Sequence, residues 1–237
     1  MEAAAERVSD AFGGVLILVV LTYVLGSVLP DGSWSRVVLV ATTTTTSLFA
    51  LSASHVRGLW IRRAAVLSIL AVAIAIVSAA TGQRDWVSVA WVIEIVLLAV
   101  SMGTVLATVV VSPQIGARTI LGALSVYTAL GILFTAAYSL IDRIQDAEFF
   151  SGVAHPAGTD FLFFSYTTLT TTGYGDLVPA GQPGQMVSGL EMMVGQIFLV
   201  TLVAGLVSVW KPGEAFRRKR QQRSGDAAEP GAGGASR

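Results

Sequence analysis

The run Thr170-Thr171-Thr172-Gly173-Tyr174-Gly175-Asp176 decides how this chain is read. Two glycines separated by one residue supply backbone conformations that ordinary L-residues resist. The apolar residues 161–170 lead into the run, but ten residues are too few to cross a bilayer, which takes roughly 20 in a helix. Residues 184–210 follow, long enough to cross and carrying only Glu191. A short apolar segment that enters without crossing, then a glycine-rich loop, reads as re-entrant. Non-helical backbone at membrane depth is tolerated only where protein packs it or it lines water.

The rest of the chain supports a membrane reading. Hydrophobic residues make up 54% and charged ones 13%, about half the usual charged share, and the mean hydropathy is +0.71. Residues 11–30, 37–54, 64–83 and 119–141 are free of charge, and 86–112 carry only Glu94. With 184–210 that predicts six spans. Four of the five tryptophans (Trp34, Trp60, Trp86, Trp210) fall at span ends, where interfacial aromatics are favoured. An inside N-terminus puts twelve of the fifteen basic residues in the cytosol. Only Arg36, Arg84 and Arg143 are left outside, beside seven acids, so both termini are expected to be cytosolic. The leader is net acidic, wrong for a cleaved signal peptide. No cysteine is present, which excludes disulfides, thiolate metal sites and cysteine nucleophiles. Two histidines are too few for a histidine metal cluster.

Three regions follow. Residues 1–112 are a four-helix transmembrane collar, and 113–211 hold an outer helix, the re-entrant loop and an inner helix, with Pro113 and Gly116 at the break. Residues 212–237 are a cytosolic tail, basic and then rich in Ala and Gly; the Ala/Gly-rich stretch is expected to be disordered, and the basic cluster meets anionic headgroups or serves only as a topology anchor.

The Thr-Thr-Gly-Tyr-Gly-Asp run at 171–176 resembles the Thr-x-Gly-Tyr-Gly-Asp selectivity filter of potassium channels. Over roughly 117–210 the spacing from Gly175 to Gly184 and Gly195 is similar to that of two-helix prokaryotic potassium channels. The resemblance implies an all-α membrane protein with six transmembrane helices, a re-entrant pore helix and a filter loop, assembled as a homotetramer. It implies that the backbone carbonyls of Thr171, Thr172, Gly173 and Tyr174, with Gly175, replace the water around K⁺. Thr170, Asp176 and Glu191 would support the filter, Gly195 would be a gating hinge, and Gln196, Leu199 and Val203 would line the cavity. Phe163-Phe164 depart from the family's tryptophan pair, so Asp176 lacks an indole N–H donor. Leu177-Val178-Pro179 resembles the filter exit.

Glu191 is placed some 140° around its helix from Gln196, directing it towards the pore or outer helix, with Thr167 or Thr168 as expected partners. Glu94 has no partner legible in the sequence. The fourth span holds no Arg or Lys, so steep voltage gating is not expected. The reading is a passive K⁺-selective channel in the plasma membrane of a prokaryote. No cofactor, nucleic-acid partner or enzymatic activity is expected. A weakly selective cation channel, and a non-conducting scaffold or subunit of a K⁺ transporter, stay open as alternatives.

Overall fold

A computed structural model of the chain describes residues 2–54, 58–82, 87–111 and 117–209. The break at 112–116 and the basic tail lie outside the described residues. Seven helices follow one another: α1 (Glu2–Val28), α2 (Ser33–Ala53), α3 (Gly58–Thr81), α4 (Val87–Val111), α5 (Ala117–Ile144), α6 (Gly158–Leu169) and α7 (Gln182–Val209).

Several helices outrun the charge-free stretches. Charges raise the cost of leaving water, but they leave helical backbone hydrogen bonds intact. The Glu/Ala/Arg leader favours helix, and α1 accordingly starts at Glu2. Likewise α3 takes in Arg62 and Arg63, and α5 takes in Asp142 and Arg143. α1 stops at Val28, two residues before Pro30, as expected where the residue preceding a proline avoids helical geometry.

Among the described residues, five helical stretches are long and apolar enough to cross a membrane: Ser33–Ala53, Gly58–Thr81, Ser88–Val110, Thr119–Ile144 and Gln182–Gly205. The apolar part of α1, Phe12–Val28, is a shorter helix.

Residues 1–200 form one compact unit, so the helices expected as collar and those expected as pore share a core. α2, α3 and α4 pack on one another, α1 packs on α2, and both α1 and α4 pack on α5. α6 lies against α5 and α1. Phe12, Val15 and Val19 of α1, with Leu98, Met102 and Val105 of α4, join Val126, Leu130 and Phe134 of α5 in the main core. That core continues into an aromatic cluster of Tyr138, Phe149, Phe150, Phe161 and Phe164. The second unit starts at Thr201, and its described part is the last turns of α7, where Val203 and Val207 are exposed.

Candidate functional site

α6 begins three residues earlier than the apolar run suggests, because polar groups satisfy its first turn. Asp160 accepts the Ala157 N–H at 2.8 Å, a carboxylate where the helix dipole favours one. A second acceptor arrives from far along the chain: Asp31, in the α1–α2 turn, takes the Gly158 N–H at 3.1 Å. α1 meets α6 again where Gly26 leaves room for Leu162 and where the rings of Tyr23 and Tyr166 sit 4.7 Å apart.

On the other side α5 holds α6. Tyr166 Oη donates to the Thr128 carbonyl at 2.6 Å, and Tyr127 Oη donates to the Leu169 carbonyl at 3.2 Å. Gly131 permits the approach, since a Cβ there would lie 2.6 Å from the Tyr166 ring. The third wall is α7. Glu191, with no exposed surface, accepts from Tyr138 Oη at 2.5 Å and bonds Ser165 Oγ at 2.6 Å. Its partners are thus Ser165 of α6 and Tyr138 of α5, not the expected Thr167 or Thr168. Those two lie two and three residues further along α6 than Ser165. A buried carboxyl on a span signals that hydroxyl partners exist, but only the packing of three helices tells which.

The loop folds back onto the end of α6. Thr170 N–H bonds the Tyr166 carbonyl (3.1 Å) and Thr171 N–H the Thr168 carbonyl (3.0 Å). The Thr167 carbonyl accepts from both Thr172 (2.8 Å) and Gly173 (3.1 Å). Thr170 Oγ1 lies 2.7 Å from the Tyr166 carbonyl and 2.8 Å from Thr172 Oγ1. Positive φ recurs at alternate residues: Thr171 (57°), Gly173 (53°) and Gly175 (83°). The glycines were legible in the sequence. Thr171 was not, because left-handed backbone is a genuine outlier for a β-branched residue. Its N–H and those of the next two residues are pinned to the helix end. Among the described residues no hydrogen bond is donated to the carbonyls of Thr171, Thr172, Gly173 or Tyr174.

Residues 170–176 are all exposed in the single chain. Tyr174 is braced by Phe163, the rings lying 5.8 Å apart and 11° from parallel, so this phenylalanine supports the loop by stacking. Phe164 is buried against Tyr138. The exit of the loop is pinned to the segment after α5, where Ser151 N–H bonds the Val178 carbonyl and Ala180 N–H the Phe149 carbonyl. On α7 Gln196 and Leu199 are exposed. Gly195 is buried, and a Cβ on it would sit 2.8 Å from the Leu169 carbonyl oxygen. Close packing against the end of α6 thus requires its small size.

Away from the loop, Glu94 of α4 is buried and meets the Thr43 hydroxyl of α2. Nothing in the sequence pointed to that pairing.

A family model described as an ion channel matches residues 126–211. The match starts inside α5, runs through α6 and the loop, and leaves α1–α4 outside it. Two pore potassium channel c of Oryza sativa subsp. japonica is 36% identical over 82 residues, which is 35% of this chain and 17% of that relative. Most of α5, with α6, the exposed loop and α7, is therefore similar to an ion-channel domain.

Proposed function

We propose that the chain is one subunit of a passive, K⁺-selective channel of the plasma membrane. The observation that carries this reading is the loop at 171–175, with φ alternating in sign and carbonyls that accept no hydrogen bond among the described residues. Alternating left- and right-handed residues turn successive carbonyls of one strand towards the same side. A column of such oxygens is what a dehydrated K⁺ needs. The C-terminus of α6 adds the negative end of its dipole nearby.

One strand supplies oxygens from one side only, so the pathway is completed by further copies. Closed rotational symmetry is the common solution, and a homotetramer is the arrangement proposed. Its exposed apolar surface includes Met186, Met193 and Ile197 of α7. In this reading α1 is the sixth span, both termini are cytosolic, Thr170, Asp176 and Glu191 support the filter, and Gln196, Leu199 and Val203 line the cavity. The similarity to a plant potassium channel supports the choice of ion.

The test is purified protein in liposomes under a K⁺/Na⁺ gradient. A reversal potential near the K⁺ value is expected. Normal current reversing near zero would instead indicate a weakly selective cation channel, and no flux at all would sink the channel reading.

A further inference from the structure

Three short oxygen–oxygen contacts meet behind the loop. Tyr138 Oη lies 2.5 Å from Glu191 Oε2, Ser165 Oγ lies 2.6 Å from Glu191 Oε1, and the same Oγ lies 2.8 Å from the Gly131 carbonyl. Contacts of this length are hydrogen bonds, and each needs a hydrogen between its oxygens. A backbone carbonyl and an ionised carboxylate bring none, and the two hydroxyls bring one each. Two hydrogens cannot fill three contacts. Thr135 Oγ1 also donates to the Gly131 carbonyl, at 2.7 Å, but it brings its own hydrogen and leaves the deficit unchanged. Tyr138, Ser165 and Glu191 have no exposed surface from which water would relieve it.

We infer that Glu191 is a neutral carboxylic acid, donating from Oε1 to Ser165, which passes its own hydrogen to Gly131, while Oε2 accepts from Tyr138. The surroundings agree with the count. The titratable groups facing Glu191 are phenols, Tyr138 and Tyr127 on α5 and Tyr166 on α6. Among the described residues no Lys, Arg or His acts on it, so an ionised Glu191 would be a buried charge without a partner.

Glu191 is thereby a positioning residue whose proton links all three pore-side helices in one directed chain, α7 to α6 to α5. Ser165 precedes Tyr166, Thr167 and Thr168, whose carbonyls hold the loop N–H groups. Removing the proton leaves two acceptor oxygens facing each other at one of these contacts and loosens that hold. Taking that proton away by raising the pH should therefore reduce ion flux. The flux consequence rests on the channel reading; the protonation does not.

Infrared spectroscopy of the purified protein tests the protonation directly. At neutral pH a carboxylic-acid C=O band should be present that is missing in Glu191→Gln, and Ser165→Ala should shift it to higher frequency by removing its acceptor. Spectra of wild type and E191Q with no difference in that region would overturn the inference, as would a band unmoved by S165A. In liposomes, wild-type K⁺ flux should be lost at alkaline pH. E191Q offers an amide N–H to Ser165 and a carbonyl to Tyr138, and should retain flux without the alkaline loss. The same alkaline loss in E191Q, or a folded E191Q that never conducts, would also overturn it. Absence of flux in every protein at every pH would defeat the channel reading, leaving the infrared band to decide the protonation.

Discussion

Buried hydroxyls around α6 behave differently from those in the first four helices. In α2, Thr43, Thr44 and Thr46 return their hydrogens to carbonyls three or four residues earlier in the same helix. In α4, Ser101 does the same, and the buried Oγ atoms of Ser47 in α2 and Ser68 in α3 have no partner among the described residues. Ser125 and Ser139 of α5 and Ser188 of α7 also bond within their own helix, but around α6 a second set of bonds runs between elements: Tyr138 to Glu191, Ser165 to Gly131 and Glu191, Tyr166 to Thr128, and Tyr127 to Leu169. Self-satisfied hydroxyls let helices sit in a low-dielectric medium without fixing their register. Bonds between helices fix it. By this measure α1–α4, the sleeve, rest mainly on packing, while α5 and α7 form a locked frame around the short α6.

If that contrast is right, substitutions in the frame should be severe and those in the sleeve mild. The largest effect is expected at Gly173, where φ is +53° and a Cβ would find open space. Backbone conformation alone demands glycine there, so Gly173→Ala should abolish selective K⁺ flux. Unchanged current and reversal potential in this variant would remove the filter assignment.

Gly195 comes next, and for the opposite reason. Its added Cβ would press on the Leu169 carbonyl at 2.8 Å, and overpacking of this kind costs about 1–3 kcal/mol. Gly195→Ala should lower open probability in single-channel records while the reversal potential stays put. Altered gating with unchanged thermal stability would favour a hinge over a packing role.

A matched pair then probes the hydroxyls themselves. Tyr138→Phe strips Glu191 of a buried donor and should cost about 1–3 kcal/mol of stability. Ser47→Ala removes an oxygen that has no partner among the described residues and gains helix propensity, so its melting temperature should stay level or rise. Equal losses from the two would erase the distinction between frame and sleeve.

The smallest effect concerns voltage. Each elementary charge gains only ~2.3 kcal/mol per 100 mV, and the sole charged residue within α4 is Glu94. Current–voltage curves in symmetric K⁺ should be nearly linear. A steep sigmoid carrying several charges per subunit would show that the sleeve is a sensor after all.

How much of this was readable beforehand divides along the same line. Charge-free runs located the helices, because burying a charge in lipid is costly whatever its neighbours. The glycines at 173 and 175 announced an unusual backbone because the restriction is local to each residue. What escaped depends on pairs distant in sequence. Asp31 caps a helix that starts at Gly158, and nothing near either residue advertises it. Tyr138 and Ser165 find Glu191 only once three helices have packed. The size requirement at Gly131 exists because of the Tyr166 ring. Thr171 ran against its own propensity, held by the end of the helix before it.

That last residue bears on biogenesis. The left-handed backbone of Thr171 is held from within its own chain, its N–H fastened to the Thr168 carbonyl. Contacts within one protomer thus offset part of the entropy cost of ordering the loop. In the proposed tetramer, assembly would join finished quarters instead of shaping unfinished ones. Its rate would then be set by encounters in the plane of the bilayer, and a defect in one loop would be inherited by every ring that chain enters.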